Sequence, residues 1–370
     1  MVLDRNQVRK LEHIDIVINR SVEGPLTNFL EYVFLIHQAL PNVSVDDVDL
    51  STEFLGKYLE APIVISGMTG GAPGTEKINE SIAKVAEEFR IAVGVGSQRA
   101  ALGNSSLIST YAVVRRVCRD VPVIANIGIS EVSELPVSKL EEVVNMIEAD
   151  ALAVHLNLPQ ELVQPEGKVS LVNAFSKINE LKNRLRVPLI IKEVGFGLSM
   201  EVVGKLRRLG IKIFDIAGAG GTNWVIVEKY RAMKRGDVIR ELMADNIKEW
   251  GIPTAASIIE ARYAAPDAVI IGSGGIRTAL EAAKAIRLGA DLVGIARPVL
   301  VYLSKGMLRE YVKAFIHSLR LIMSLANATD IQEFKKCPVI IFGPLKEWIL
   351  SRGIKLSENV IPGFSTKRST

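Results

Sequence analysis

The sequence predicts an α/β chain folded as a (β/α)8 TIM barrel, with an N-terminal helical extension and a long insertion after the sixth strand. Eight short Val/Ile-rich runs recur along the chain, each followed by an amphipathic segment of helix length. Within the runs the apolar residues do not alternate with polar ones, as strands buried on both faces require. Glycine and polar clusters follow nearly every run, whereas a doubly wound sheet would gather them at one switch point near the start.

Residues 1–61 precede the first strand and form the extension, with a basic start and an expected helix over "LTNFLEYVFLIHQAL" (26–40). The strands are then "PIVISGMTGG" from Pro62, "IAVGVGSQRA" from Ile91, "VPVIANIG" from Val121 and "ALAVHLN" from Ala151. "PLIIKEVGFG" from Pro188, "IKIFDIAGAGG" from Ile211, "DAVIIGSGGI" from Asp267 and "DLVGIARP" from Asp291 complete the set. The segment from Ala219 to Pro266 is the insertion, with helical patterning around "DVIRELMADNIKEW"; long loops after barrel strands build lids. An apolar helix near Leu303 to Leu325 follows the barrel, and the terminal "STKRST" is expected to fray. Residues 62–370 read as the barrel with its helical tail, one structural domain with the extension.

Of the 370 residues 48% are hydrophobic, and the formal charge is +4, enough apolar content for a large core. Without a polybasic run this small excess argues against nucleic acid as a partner and suits a small anionic substrate. Cys118 and Cys337 are the only cysteines, which excludes a disulfide framework and fits a reducing compartment. The start "MVLDRNQVRKLEHIDI" lacks the apolar core of a signal peptide, and no apolar run reaches about 18 residues. A soluble, cytoplasmic protein without a membrane partner is expected.

Several clusters fall at strand ends. "GSGGIRTALEAAKAIRLGADLVGIARP" sets a glycine turn after strand seven and a small-residue turn with Arg297 after strand eight. Backbone N–H groups at such turns, beside a helix N-terminus, can bind phosphate; the plainer reading is tight turns alone. Lys192 ends an apolar strand and should point into the barrel mouth, either in a salt bridge with Glu193 or Asp215 or facing an anionic ligand. "ISGMTGG", "GVGSQR", "ANIG" and "AGAGGTNW" add hydroxyls, an arginine, an amide and Thr222 to the same rim. Arg9, Lys10 and His13 open the chain; a solvated face is their ordinary role. In "HLNLPQE", His155 and Asn157 lie two apart and face one way, with Gln160 and Glu161 following. No second histidine stands at zinc spacing, while a lone carboxylate can share Mg²⁺ with substrate phosphates. A core histidine and a solvated loop glutamate remain the alternative.

Taken in order over nearly the whole chain, these segments resemble the type 2, FMN-dependent isopentenyl diphosphate isomerases. The resemblance rests on Arg9, Lys10 and His13, on "HQALPN" and "DLSTEFLGKYLEAP", and on "SGMTGG", "GVGSQR", "ANIG", "HLNLPQE", "KEVGFG", "GAGGTNW", "GSGGIR" and "GIARP". "MTGG", "GSQR" and "HLNxxQE" are specific to that family, whereas "GGIR" is shared with many FMN barrels.

The resemblance implies interconversion of isopentenyl and dimethylallyl diphosphate with FMN, Mg²⁺ and a reductant such as NADPH, by a homo-oligomer of four or more subunits. Gly67, Met68, Thr69, Ser97, Asn126, Lys192, Thr222, Gly274, Gly275, Ile276, Arg277, Ala296 and Arg297 would then hold FMN. Arg9, Lys10, Ser97, Gln98, Arg99, His155, Asn157 and Gln160 would face the substrate, and Glu161 would carry Mg²⁺. Gln160, Lys192 and His155 are the expected catalytic residues. The expected chemistry is a redox-neutral acid–base shift by reduced FMN, in which Lys192 favours the anionic flavin and Gln160 orients a water or relays a proton. The rivals are an FMN oxidoreductase, such as a hydroxy-acid oxidase or nucleotide dehydrogenase, and a phosphate-binding barrel without flavin.

Overall fold

Strands that are apolar on both faces must be covered by helices outside and by one another inside, and a closed ring satisfies both demands. The computed structural model, which describes residues 5–167 and 173–356, has that ring. Its strands are Ile63–Ile65, Ala92–Gly94, Val123–Gly128, Ala151–Leu156, Leu189–Glu193, Ile213–Asp215, Val269–Gly272 and Leu292–Ile295. All neighbours are parallel, and the eighth strand closes on the first through Val293↔Ile63 and Ile295↔Ile65. Each of the eight expected runs supplies one strand.

Side chains pointing inward fill the barrel floor: Val64, Ala92, Ile124, Ala153, Ile190, Ile213, Ile271 and Leu292 form one apolar cluster. A hairpin, Thr52–Phe54 paired with Lys57–Leu59, adds buried Phe54 and Leu59 to it. Two steps further along the same inward-facing register stand Asn126, His155, Lys192 and Asp215. Floor and site are thus successive layers of one alternation.

The extension departs from expectation. No helix forms over 26–40; a 3-10 turn, Leu30–Tyr32, leads into a short strand, Val33–Leu35, antiparallel to Val339–Ile341. Asn28 accepts the Leu30 N–H through its side chain (3.0 Å) and Phe29 adopts a positive φ of 60°, so a helical start is blocked. The helix of the extension is instead Arg5–Asn19, across the basic start.

Two further elements need correction or detail. The single helix expected near 303–325 is two, Arg297–Ser304 and Leu308–Leu325, divided where Gly306 takes φ 69°. The insertion folds as Trp224–Arg235 and Val238–Ile247, followed by Thr254–Ala264. The first of these helices packs on Leu158–Val163 and on the N-terminal helix, so the insertion roofs part of the mouth. The terminal "STKRST" lies outside the described residues. Among the described residues no helix is long and apolar enough to cross a membrane.

Truncating Phe54 to alanine should cost about 3 kcal/mol of unfolding free energy in a denaturant titration, because the barrel floor loses its plug.

Candidate active site

The C-terminal ends of the strands open on one cleft, lined by Gly67, Met68, Thr69, Ser97, Asn126, Lys192, Thr222, Gly274, Gly275, Ile276, Arg277, Ala296 and Arg297. Arg9, Lys10, Arg99, His155, Asn157, Gln160 and Glu161 share it. Gln98 does not. Its amide is turned behind the strand, donating to the Val143 carbonyl (2.7 Å) and accepting the Asn126 N–H (3.0 Å). Wholly buried, it braces the loop that presents Ser97 and Arg99, and the expectation that it faces a ligand is corrected.

Lys192 is buried, and its Nζ lies 2.7 Å from Asp215 Oδ2, so the salt bridge weighed for it forms with Asp215. Ser273 hydroxyl donates to the other Asp215 oxygen, which fixes the pair against the seventh strand. Glu193 points the other way: its Oε2 accepts the N–H groups of Val194 (2.6 Å), Gly195 (2.9 Å) and Phe196 (2.6 Å). Burial nonetheless raises its carboxyl to about 7. The loop so pinned brings Val194 and Gly195 to the cleft.

His155 sits beside Lys192 in register. Burial first, then Lys192 and Lys10, push its imidazole down to about 3. The Asn126 amide donates to the Val95 carbonyl (3.0 Å), which leaves its Oδ1 to accept from His155 Nδ1 (2.8 Å). The ring is therefore neutral with a proton on Nδ1.

The N-terminal helix crosses the mouth and brings charge to it. Lys10 Nζ donates to the Ser97 carbonyl (2.9 Å) and to Tyr111 Oη (3.3 Å). His13 Nε2 meets Glu228 Oε1 at 2.8 Å. Glu228, on the insertion helix Trp224–Arg235, also accepts from Gln160 Nε2 (3.2 Å) and from Arg231 Nη1 (2.6 Å). Burial works to raise its carboxyl, but His13 and Arg231 outweigh that and hold it low. Arg231 is wholly buried and reaches Glu12 (3.1 Å) on the N-terminal helix and Glu166 (3.1 Å) beyond Gln160. Asn157 Nδ2 donates to Glu161 Oε1 at 3.1 Å.

Across the ring, Gly274 and Gly275 take φ values of 99° and 73°, which turn their backbone toward the cleft ahead of the capped helix Ala279–Arg287. Arg277 is drawn to Glu23 (3.1 Å) and Arg297 to the same carboxylate (3.2 Å). Arg99 pairs with Glu131 at 3.0 Å, and burial pushes that carboxyl up against the pull of Arg99. Ser66 Oγ and Thr69 Oγ1 border the cleft, buried and with no hydrogen-bond partner among the described residues. Among those residues no cluster of three or more His, Cys, Asp or Glu could hold a metal alone.

A chain that pairs a cationic strap with a glycine-rich turn on a barrel rim suits an anion. A curated isopentenyl-diphosphate delta-isomerase of Sulfurisphaera tokodaii is 47% identical over 353 residues, covering 94% of this chain and 95% of that one. Another, of Ignicoccus hospitalis, is 44% identical, covering 94% and 96%. The chain belongs to the type 2 isopentenyl-diphosphate delta-isomerases. The model of the FMN-dependent dehydrogenase family matches residues 163–339. A solved mandelate oxidase with benzoyl-formic acid superposes with a TM-score of 0.60 at 13% identity, covering 89% of this chain and 94% of that one, a likeness of fold.

In this isomerase, sequence reading passed over Glu228, Arg231, Glu131, Glu23 and Tyr111. A signal existed for two of them: Glu228 and Arg231 stand three apart on the face of their helix that carries buried Val225 and Ala232. Opposite charges at that spacing on an apolar face mark a buried pair. Cys118, by contrast, is inert, raised to about 12 by burial and then by Glu87.

Two outcomes follow. In the unliganded protein the ring ¹⁵N signals of His155 should not titrate between about pH 5 and 8, and a midpoint near the ordinary 6.5 would refute the buried, neutral ring. For Glu166, burial opposes ionisation, but Arg231 and Arg235 bring the carboxyl down to about 2. Its stabilisation is complete above the ordinary value of 4.5 and is lost as pH falls toward about 2. Melting temperatures of wild type and Glu166→Gln should therefore differ at neutral pH and converge across that acid range.

Proposed function

We propose that the chain interconverts isopentenyl and dimethylallyl diphosphate with FMN and Mg²⁺, reduced FMN being kept up by NADPH, as a cytoplasmic homo-oligomer of four or more subunits. The observation that carries the reading is one cleft with two anion-binding walls. Arg9, Lys10 and Arg99 stand with His155, Asn157, Gln160 and Glu161 on one side, and the turns at Gly274–Arg277 and Ala296–Arg297 on the other. In the ring the seventh and eighth strands lie opposite the third and fourth, which separates a cofactor phosphate from a substrate diphosphate.

Ser66 and Thr69, buried hydroxyls that meet no partner among the described residues, support a polar heterocycle between the walls, since such groups cost free energy until a ligand meets them. Gly67, Met68, Thr69, Ser97, Asn126, Lys192 and Thr222 would hold its ring system, and the two glycine and small-residue turns its phosphate. When bound, reduced FMN supplies acid–base chemistry and an electron-rich face for cationic character on the alkene carbons.

The chain's own residues position and protect. Arg9, Lys10, Arg99 and Asn157 bind diphosphate oxygens, which anchors the carbon skeleton. His155 joins them at Nε2 by taking up a proton as the anion arrives. Glu161, steadied by Asn157, would help hold Mg²⁺, which would offset the negative charge of the diphosphate. Gln160 gives its amide to ionised Glu228 and accepts only a long hydrogen bond from Asn157 Nδ2 (3.5 Å) at Oε1, so a lone pair of that oxygen is left to orient a water near the isoprenyl carbons. Lys192, held by Asp215, would present its positive charge to a bound flavin and would favour an anionic reduced ring. The helix across the mouth keeps bulk water from an allylic diphosphate that could otherwise ionise.

Anaerobic incubation of the protein with isopentenyl diphosphate, FMN, Mg²⁺ and dithionite or NADPH tests the proposal by product analysis. Dimethylallyl diphosphate should form only when flavin is reduced and Mg²⁺ present; turnover indifferent to flavin would overturn it. Gln160→Asn should lower kcat by about a hundredfold with flavin still bound, because the amide no longer spans from Glu228 to the carbons.

A further inference from the structure

The cation of the strap that reaches deepest, Lys10, rests on oxygens that carry no charge. One is the Ser97 carbonyl, the other the hydroxyl of Tyr111, a side chain the reaction does not otherwise use. Tyr111 lies on the helix Ser109–Val117, is wholly buried, and donates its own hydroxyl proton to the Ser97 carbonyl at 2.8 Å. Its lone pairs are thereby turned toward Lys10. The ring occupies the volume that a side chain at Gly70 would need, and the hydroxyl that of one at Gly71. The neighbouring Thr110 hydroxyl accepts the Gly71 N–H (2.8 Å), and Asn79 ties the Thr69 and Thr110 carbonyls together at 3.2 and 2.8 Å. One helix thus holds the "MTGG" turn, the "GSQR" turn and the strap.

We propose that Tyr111 is a positioning residue for the diphosphate clamp, its hydroxyl aiming the Lys10 ammonium into the cleft and supporting its charge there. The proposal rests on the reading that Lys10 binds the substrate diphosphate. Around Lys10 stand Arg9 on its own helix, Tyr111 on the helix behind, and neutral His155 on the fourth strand. Burial and then Arg9 hold the ammonium down to about 7. The Tyr111 hydroxyl is one of two oxygens that accept from the ammonium, so its loss weakens the charged form. A carboxylate in place of the phenol would neutralise the cation; the phenol, which burial keeps protonated, supports it without competing with the incoming anion.

The test compares the full-length, FMN-loaded wild type with Tyr111→Phe, Lys10→Met and the double variant, by calorimetric titration with inorganic pyrophosphate from pH 6 to 8.5. Tyr111→Phe keeps the ring that fills the space over Gly70 and removes only the hydroxyl, so flavin content and melting temperature should stay near wild type. Its pyrophosphate affinity should fall about tenfold at pH 7.5, and the pH above which affinity declines should move down. In the Lys10→Met background the same change should have no further effect. A tenfold loss that persists without Lys10, or one with no shift in pH dependence, would reduce Tyr111 to packing and overturn the proposal. Wild-type affinity in Tyr111→Phe with a weakened Lys10→Met would overturn it while leaving Lys10 as a ligand. An unaffected Lys10→Met would remove the underlying reading, and the proposal with it.

Discussion

The Glu228–Arg231 pair is the constraint on which the site depends. Both side chains are wholly inside, and each is met by more than the other: Glu228 by His13 and Gln160, Arg231 by Glu12 and Glu166. A buried ion pair adds little net stability, because desolvating the charges costs about what their attraction returns. Geometry is what it supplies. Four separate stretches of chain, the N-terminal helix, the Gln160 turn, the segment at Glu166 and the insertion helix, can satisfy that pair only in one mutual arrangement. The mouth of the barrel is shaped by that requirement, and the strap that carries Arg9 and Lys10 is placed by it.

The remaining cations are sorted by the company they keep. Arg277, Arg297, Lys192 and Arg99 each have a carboxylate within ion-pair distance. Lys10 leans on a carbonyl and a phenol, and His155 carries no charge at all. A cleft built entirely of paired ions would offer an anion nothing new, and one built of bare cations would repel itself. Mixing the two would let an incoming anion, the diphosphate in the proposed reaction, complete the coordination of groups already held in place.

The barrel was legible from local pattern because each strand's burial on both faces shows in its own residues, and the strand ends revealed the rim. What escaped depends on partners distant in sequence. The stretch 26–40 has helix-like apolar spacing, yet its Val33–Leu35 pairs with Val339–Ile341, some three hundred residues on. Gln98 lies between Ser97 and Arg99, both in the cleft, but the turn rotates it to Val143 behind. Tyr111 reads as one more apolar position of an amphipathic helix, and its meaning comes from the glycines of another loop.

The likeness to mandelate oxidase shows how little of the chemistry the barrel itself decides. An oxidase that removes a proton or hydride from a hydroxy acid wants a histidine able to take up a proton, with an arginine nearby to hold the carboxylate. Here His155, on the fourth strand, is pressed by burial and two lysines to about 3, which makes it a poor base for unassisted proton removal. The nearest arginine of the second-strand loop, Arg99, is tied to Glu131. An anion that brings its own negative charge reverses the balance at His155, since the proton then gains a partner instead of adding to a crowd of cations. The contact proposed between this imidazole and a diphosphate thus draws on burial first and on the two neighbouring lysines next, the same influences that unsuit it to oxidation.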